Sequence, residues 1–235
     1  SQLLVLALSP ASYRGVGVRA LLTQLVRATA PALMGFTLGA TLLSVVLIRI
    51  VVVTAQSYGL SQYALEMVVR VLVLELIPLA AALVVAVRYT VPGGTHLYKL
   101  RTRGGFAGLA AQGVDPMACL LVPRVLAGMY AVLTLAALSG ALVLVLGYLM
   151  AHGVTLAAFE SYTRTVGRVF SPVVTLIFVL KTLLSSLAVA LVPVATALRD
   201  LPPQPQRASV ELQSLLRILG LLLGVEVLSL LGNYY

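Results

Sequence analysis

The chain has 235 residues, of which 60% are hydrophobic and 10% are charged, whereas about 25% of residues are charged in an ordinary soluble domain. This composition excludes a soluble globular domain and predicts a polytopic membrane protein. The formal charge of +9 does not indicate nucleic-acid binding, because the cationic residues lie at the ends of apolar segments and form no continuous basic patch.

One membrane crossing takes about 20 helical residues, so a chain of this length has room for about five or six crossings. Cys119 is the single cysteine, which excludes an internal disulfide. We therefore expect one all-α integral membrane domain over residues 1–235. It comprises an N-terminal amphipathic interfacial helix within residues 1–30 and a bundle of about five transmembrane helices over residues 31–235.

The interfacial helix is predicted from a repeat of polar residues. Arg19, Thr23 and Arg27 recur at intervals of four, while the opposite face is apolar. Such a helix is suited to the headgroup region of a bilayer, with its arginines toward anionic lipid. Pro31 then introduces the first predicted span, from Ala32 to about Gln56.

The second predicted span runs from about Tyr63 to Tyr89 and carries three charged residues. Glu66 and Arg70 stand four residues apart and therefore share one helical face. Glu75 lies deeper, where a charge is costly and normally faces protein or water. Pro78 removes a backbone hydrogen bond and is expected to kink the helix just after this acid.

A basic, glycine-rich stretch follows from Gly93 to Gly105, and we interpret it as the start of a polar hairpin over about residues 93–116. The hairpin contains a short apolar helix that is too short to span. The residues that we single out in it are Arg101, Arg103, Phe106, Leu109, Gly113, Asp115 and Pro116. It either docks a motor protein or is an ordinary basic cytoplasmic loop.

Three further spans complete the predicted bundle. The third runs from Met117 to about Met150, and the fourth from Ser171 to about Leu198. A proline-rich loop then separates the fourth span from a segment that re-enters at Arg207. The fifth span is Ile218 to Leu231.

Lys181 in the fourth span is the natural partner for Glu75. The pair is either a polar element of a lipid path that couples closure to transport, or a buried ion pair that holds two helices together. Glu226, in the fifth span, either pairs with an arginine of another span or faces a cavity.

The distribution of cationic residues predicts the orientation. With five crossings, the N-terminal helix, the Arg88 to Arg103 stretch and the Arg199 to Arg207 loop all fall on one side. The other side has chiefly Arg164 and Arg168. The positive-inside rule then places the N-terminus in the cytoplasm and Tyr235 outside.

Catalytic and metal motifs are not evident. His96 and His152 lack partners at metal-ligand spacing, and Ser185 and Ser186 lack a histidine and acid nearby in the sequence. We expect no metal and no cofactor. Because the chain has no phosphate-binding loop of the Gly-x-x-x-x-Gly-Lys-Ser/Thr type, any ATP chemistry must reside on a partner.

Several of these residues together resemble one family. The chain is similar to the MlaE/YrbE permeases, the membrane subunits of ABC-type lipid transporters that work with MCE-domain proteins. The matching residues are Glu75 with Pro78, Gly113-Val114-Asp115-Pro116, Val122-Pro123-Arg124-Val125-Leu126-Ala127-Gly128, Gly147-Tyr148-Leu149, Lys181 and Arg207-Ala208-Ser209. The Asp-Pro to Pro-Arg block is the specific part.

The resemblance implies a function and a set of partners. It implies a permease of the bacterial inner membrane that moves phospholipid or a related lipid between the inner and outer membranes. The implied partners are a cytoplasmic ATP-binding cassette ATPase, a second permease protomer, identical or related, a periplasmic MCE-domain protein and membrane lipid. The chain itself is then a transport subunit and not an enzyme.

The sequence departs from the family pattern at several positions. Leu74 stands where the family usually has arginine, Ile77 replaces a glycine, and Gly104-Gly105-Phe106 replaces Thr-Glu-Gln. These departures motivate a second hypothesis, in which the chain is a permease-like structural subunit that scaffolds a membrane complex. A third, an intramembrane lipid-modifying enzyme, lacks any visible acid-base cluster.

Overall fold

The computed structural model describes residues 18–111, 116–198 and 207–234, and these ranges are helical with short turns and contain no strand. We number the helices in chain order. The single-segment helices are α1 (Val18–Ser57), α3 (Gly105–Ala111), α5 (Phe159–Val169), α6 (Pro172–Leu198) and α7 (Arg207–Tyr234). The composite helices are α2, made of Ser61–Val68, Val69–Leu76, Ile77–Val85, Ala86–Thr90 and Val91–Thr102, and α4, made of Met117–Leu121 and Val122–His152.

Five of these helices are long and apolar enough to cross a membrane. The candidate spans are Leu21–Ser57, Tyr63–Thr102, Cys119–His152, Pro172–Leu198 and Glu211–Gly232. The prediction of an all-α membrane protein with about five transmembrane helices is therefore confirmed.

The first span begins earlier than the sequence suggested. Helix α1 is continuous from Val18 and contains Pro31, so the predicted break between the interfacial helix and the first span is wrong. Proline removes only one backbone donor, and a helix can continue through it where its neighbours compensate. Of the predicted interfacial segment, residues 1–17 lie outside the described part of the chain.

The second span is also longer than predicted. The stretch from Gly93 that we expected to be a loop is helical as far as Thr102. Its two glycines do not break the helix, because Gly94 lies against Pro193 of α6 with no room for a side chain. In the described part of the hairpin the chain turns at Arg103 and Gly104, where Gly104 adopts a φ of +75° that favours glycine.

Three segments of the two composite helices are wound as π-helix: Val69–Leu76, Ala86–Thr90 and Met117–Leu121. At the ends of the first two, the N–H of Ile77 donates to Leu72 and the N–H of Val91 donates to Ala86, five residues back. Such turns are rare and occur frequently at functional sites. Glu75 and Tyr89 lie within two of them.

The core is built from small residues at one end and larger ones at the other. Helix α1 packs along α4, and α4 and α7 both pack on α6. At the end where α1 begins, buried alanines of α2 (Ala82 and Ala86) and of α4 (Ala127 and Ala131) belong to one core cluster. Small residues allow helix backbones to approach closely in a membrane, where burial of apolar groups supplies little driving force.

The opposite end of the bundle is closed by α5. This helix has one polar face, on which Arg164 pairs with Glu160 at 2.5 Å, both largely exposed. Tyr162 on its other face is buried and donates a hydrogen bond to the Leu144 carbonyl of α4 at 2.5 Å. Burial raises the pKa of Tyr162 to about 12, since the phenolate loses its hydration there.

Candidate functional site

The most unusual feature of the apolar bundle is a lysine held by two carboxylates. Lys181 of α6 is 2% exposed, and its Nζ forms ion pairs with Glu75 of α2 and with Glu226 of α7. The distance from Nζ to Glu226 Oε2 is 2.8 Å. We call these three residues the charged triad.

The backbone near Pro78 contributes a further acceptor to this site. Proline has no N–H to donate to the carbonyl of Leu74, four residues earlier. That carbonyl accepts a hydrogen bond from Lys181 Nζ at 3.2 Å. The ammonium group, which has three donors, therefore meets two carboxylates and one carbonyl.

The triad joins three transmembrane helices at one point. A buried charge is stable only when it is paired and hydrogen-bonded, and each of α2, α6 and α7 supplies one member. Glu75 and Glu226 are also near enough to interact electrostatically with each other. The site consequently holds two acids against one base, so it is not a simple neutral pair.

The sequence pointed to Glu75 and Lys181 but left Glu226 undecided. The structure places Glu226 on the same lysine, and neither an arginine nor a cavity is its principal partner. The signal that could have found this contact is that Glu226 is the one acid predicted inside the last span, where it needs a cation.

Lys181 begins a buried polar stripe on α6 that continues through Thr182, Ser185 and Ser186. Two of these hydroxyls donate to carbonyls of their own helix: Thr182 to Phe178 at 2.7 Å and Ser186 to Leu183 at 2.8 Å. These hydroxyls are therefore occupied in structural hydrogen bonds. Their hydrogen bonds among the described residues involve no histidine that could activate a nucleophile.

Some of the residues that the sequence assigned to the hairpin lie in the described ranges, and others lie outside them. Arg101 donates to the carbonyl of Leu198, at the end of α6, at 2.5 Å, and Arg103 is exposed at the turn. Phe106 and Leu109 are half-buried on α3. Pro116 lies in the helical part that leads into α4, whereas Gly113 and Asp115 lie outside the described residues.

The residues of the predicted Pro-Arg block lie on the first turns of α4. Pro123 is buried, and Gly128 is pressed against α2, where a Cβ would lie 2.9 Å from Thr90 Cγ2. The Arg124 guanidinium lies beside His96, with Nη2 3.4 Å from Nδ1. Arg207 begins α7.

The residues described above do not form a metal site. Within the described ranges, no group of three or more histidine, cysteine, aspartate or glutamate side chains could hold a metal ion. The triad offers only two carboxylates, and the lysine already occupies them both.

Comparison with known protein families identifies one family whose model matches the chain. The family model described as Permease MlaE matches residues 21–229, a range that contains the first four candidate spans, the fifth as far as residue 229, and every member of the charged triad. No curated protein matches the chain.

Proposed function

The chain belongs to the MlaE permease family, and on that premise we propose that it is the permease subunit of an ATP-driven ABC transporter that moves phospholipid or a related lipid. In this proposal the lipid passes between the inner and outer membranes with the help of an MCE-domain partner. The protein is a multi-pass membrane protein of transport type, and the proposal adds its cargo, its energy source and its partners.

The single observation that carries the proposal is the family match across nearly the whole chain. The sequence has no phosphate-binding loop, so the proposed ATP hydrolysis belongs to a separate ATP-binding cassette subunit. The family resemblance supports a second permease protomer, and the mostly exposed apolar faces of α1 and α7 leave room for one.

The charged triad is the proposed coupling element. It links three helices that would have to move together if the bundle opened and closed around a lipid. An ionisable residue inside a membrane suggests a functional site by default. Here the lysine can leave one carboxylate and keep the other, so its charge stays paired. The competing hypothesis is a purely structural clamp.

The predicted hairpin, over about residues 93–116, is the proposed docking site for the ATPase. Phe106 and Leu109 offer a small apolar face, and Lys99, Arg101 and Arg103 supply positive charge nearby. Because these basic residues mark the cytoplasmic side under the positive-inside rule, we place the N-terminus in the cytoplasm and the C-terminus in the periplasm of a bacterial inner membrane.

A pull-down in mild detergent tests the assignment directly. We expect the full chain to co-purify with an ATP-binding cassette ATPase, an MCE-domain protein and phospholipid, each identified by mass spectrometry. A matched pair of variants locates the docking site: Phe106→Asp should release the ATPase, whereas Phe159→Asp, at the opposite end of the bundle, should not. Recovery of neither an ATPase nor lipid would overturn the proposal.

A second candidate function is a scaffold that holds a membrane complex without lining the lipid path. Leu74 favours it, because the family usually carries an arginine beside the acid, whereas here the Leu74 side chain is buried and apolar. The two candidates differ in one observable. Photo-crosslinking groups placed on α1 and α7 should capture lipid in an amount that changes when the ATPase hydrolyses ATP in a transporter, and in an amount that ATP does not change in a scaffold.

A further inference from the structure

A second polar site lies at the end of the bundle that carries most of the cations. A pocket of about 370 Å³ is enclosed by α1, α2, α4 and α6. Four of its residues are basic: Arg27, Arg88, His96 and Arg124. Among the described residues that line it, none is acidic. We call this the basic pocket.

The arginines of the basic pocket are not neutralised by any acidic residue among the described residues that line it. Arg27 is exposed, Arg88 donates to the carbonyl of Pro31 at 3.1 Å, and Arg124 Nη2 lies beside His96. Arg124 Nη1 is buried and has no hydrogen-bond partner. A buried donor without an acceptor is costly, so this nitrogen indicates that a hydrogen-bond acceptor belongs in the pocket.

An apolar groove continues from the basic pocket between α1 and α2. This groove has a volume of about 320 Å³, and Arg88 lines both spaces. Gly35, Phe36, Gly39 and Leu43 form one wall; Leu76, Ile77, Ala80 and Val84 form the other. The two helices run in opposite directions, so the groove leads from Arg88 at one end toward Ser44 at the other.

The groove has the dimensions of a lipid chain. Arg88 comes 12 residues after Leu76, and 12 steps of about 1.5 Å extend about 18 Å along the helix. One leaflet of a hydrocarbon core about 30 Å thick measures about 15 Å. Free phosphate would satisfy the arginines but would leave this groove without an occupant.

We propose that the basic pocket binds the phosphate of an anionic phospholipid, with one acyl chain of that lipid in the groove between α1 and α2. Guanidinium groups bind phosphate oxygens by charge-assisted, often paired hydrogen bonds. The phosphate part of the site lies at the basic end of the bundle, whereas the far end of the groove reaches Leu76, the residue after Glu75 of the charged triad. It does not depend on the proposed transport function, since a scaffold could hold the same lipid.

Competition binding to the full chain in zwitterionic detergent tests the proposal. The probe is fluorescent phosphatidylglycerol, and the competitors are dioleoylphosphatidylglycerol, dioleoylglycerol, which has the chains without phosphate, and inorganic phosphate. We expect dioleoylphosphatidylglycerol to compete at least tenfold better than either of the others. Equal competition by dioleoylglycerol would overturn phosphate recognition, and equal competition by inorganic phosphate would overturn the lipid assignment.

Three variants act on the two parts of the site. Arg124→Gln removes the unpartnered donor and should weaken phosphatidylglycerol binding at least tenfold. Arg27→Gln should have the same effect. Because the Arg27 side chain is exposed, misfolding would not explain a loss of binding in that variant. Gly39→Leu places a side chain in the groove, where nothing lies within 4 Å of a Cβ on this residue. This variant should weaken binding of the lipid but not binding of inorganic phosphate. Unchanged binding by the two arginine variants would overturn the proposal.

The arginine variants share one matched control, and the glycine variant has another. Arg164→Gln removes one cation from the opposite end of the bundle, and Gly224→Leu adds the same side chain to an open position on α7, where nothing lies within 4 Å of a Cβ. Both should bind phosphatidylglycerol within twofold of the unmodified chain. A tenfold loss in either control would show that general charge or surface bulk controls binding, and the proposed site would be abandoned.

Discussion

Gly94 of α2 and Pro193 of α6 touch backbone to ring: a Cβ on Gly94 would lie 2.8 Å from Pro193 Cβ and 2.9 Å from its carbonyl oxygen. This contact fixes the basic end of α2 against α6. It also explains why a segment with two successive glycines, which resembles a loop in the sequence, forms a buried helix.

Gly94→Ala should therefore destabilise the protein, although alanine is the better helix former. Overpacking of a rigid contact typically costs about 1–3 kcal/mol. The matched control is Gly93→Ala, where nothing lies within 4 Å of the added carbon and helix propensity should add up to about 1 kcal/mol. Thermal unfolding in detergent should move the two Tm values in opposite directions. Equal Tm values would contradict the close packing.

The charged triad predicts an asymmetry among its members. Lys181→Met leaves two half-buried carboxylates uncompensated and should cost about 3 kcal/mol, the lower end of the range for a broken buried pair. Glu226→Gln should cost less, since the lysine keeps Glu75. Chemical denaturation in detergent measures both. If the glutamine variant were as damaging as the methionine variant, the lysine would not be the centre of the site.

Combined substitution of the same residues distinguishes a role in coupling from a purely structural role. The triple variant Lys181→Met, Glu75→Gln, Glu226→Gln carries no buried charge and should regain most of the stability lost by Lys181→Met alone. ATP-driven lipid movement in proteoliposomes, with the proposed ATPase present, gives the second readout. A stable triple variant that transports at the normal rate would assign the triad a structural role only.

Gly128 and Thr90 form a pair that can be tested by compensation. In Gly128→Ala the new carbon would meet Thr90 Cγ2 at 2.9 Å, and we expect a loss of about 1–3 kcal/mol. Thr90→Ser removes that methyl group and keeps the hydroxyl. The double variant should therefore recover most of the loss, as a coupling measured in a double-mutant cycle. Additive losses would show that the clash lies elsewhere.

Tyr162 predicts a pH dependence. Its hydrogen bond to Leu144 should make Tyr162→Phe less stable by about 1 kcal/mol at pH 8. Because burial raises the pKa of Tyr162 to about 12, from an ordinary value of about 10, folding favours the protonated phenol. The advantage of the tyrosine should be complete below pH 10 and should disappear as the pH rises toward 12. An advantage that grew over this interval would contradict the assignment.

Much of the fold could be predicted because the solvent dictates it. Long apolar runs must be helical in a bilayer, and the sequence places five of them in nearly the right positions. The ends were harder to predict. Pro31 and Gly93 are ordinary signs of a helix boundary, but the packing of neighbouring helices overrides them, and one sequence does not show which residues will be neighbours.

The candidate site was predictable only in part, for a similar reason. Glu75 and Lys181 attract attention because each is costly in a membrane, but pairing Glu226 with Lys181 requires the relative position of α6 and α7. The basic pocket draws Arg27, Arg88 and Arg124 from three helices. In the sequence each looks like a separate cation at a helix end.

The π-helical segment Val69–Leu76 also affects how relatives of this chain should be aligned. A π turn accommodates one more residue than an α turn, while the helix on either side keeps its direction. A relative that lacks one residue in this segment can form a plain α-helix there and still present its acid to the lysine of α6. Length differences of one residue should therefore accumulate at this segment, and gaps placed elsewhere would misassign the acid.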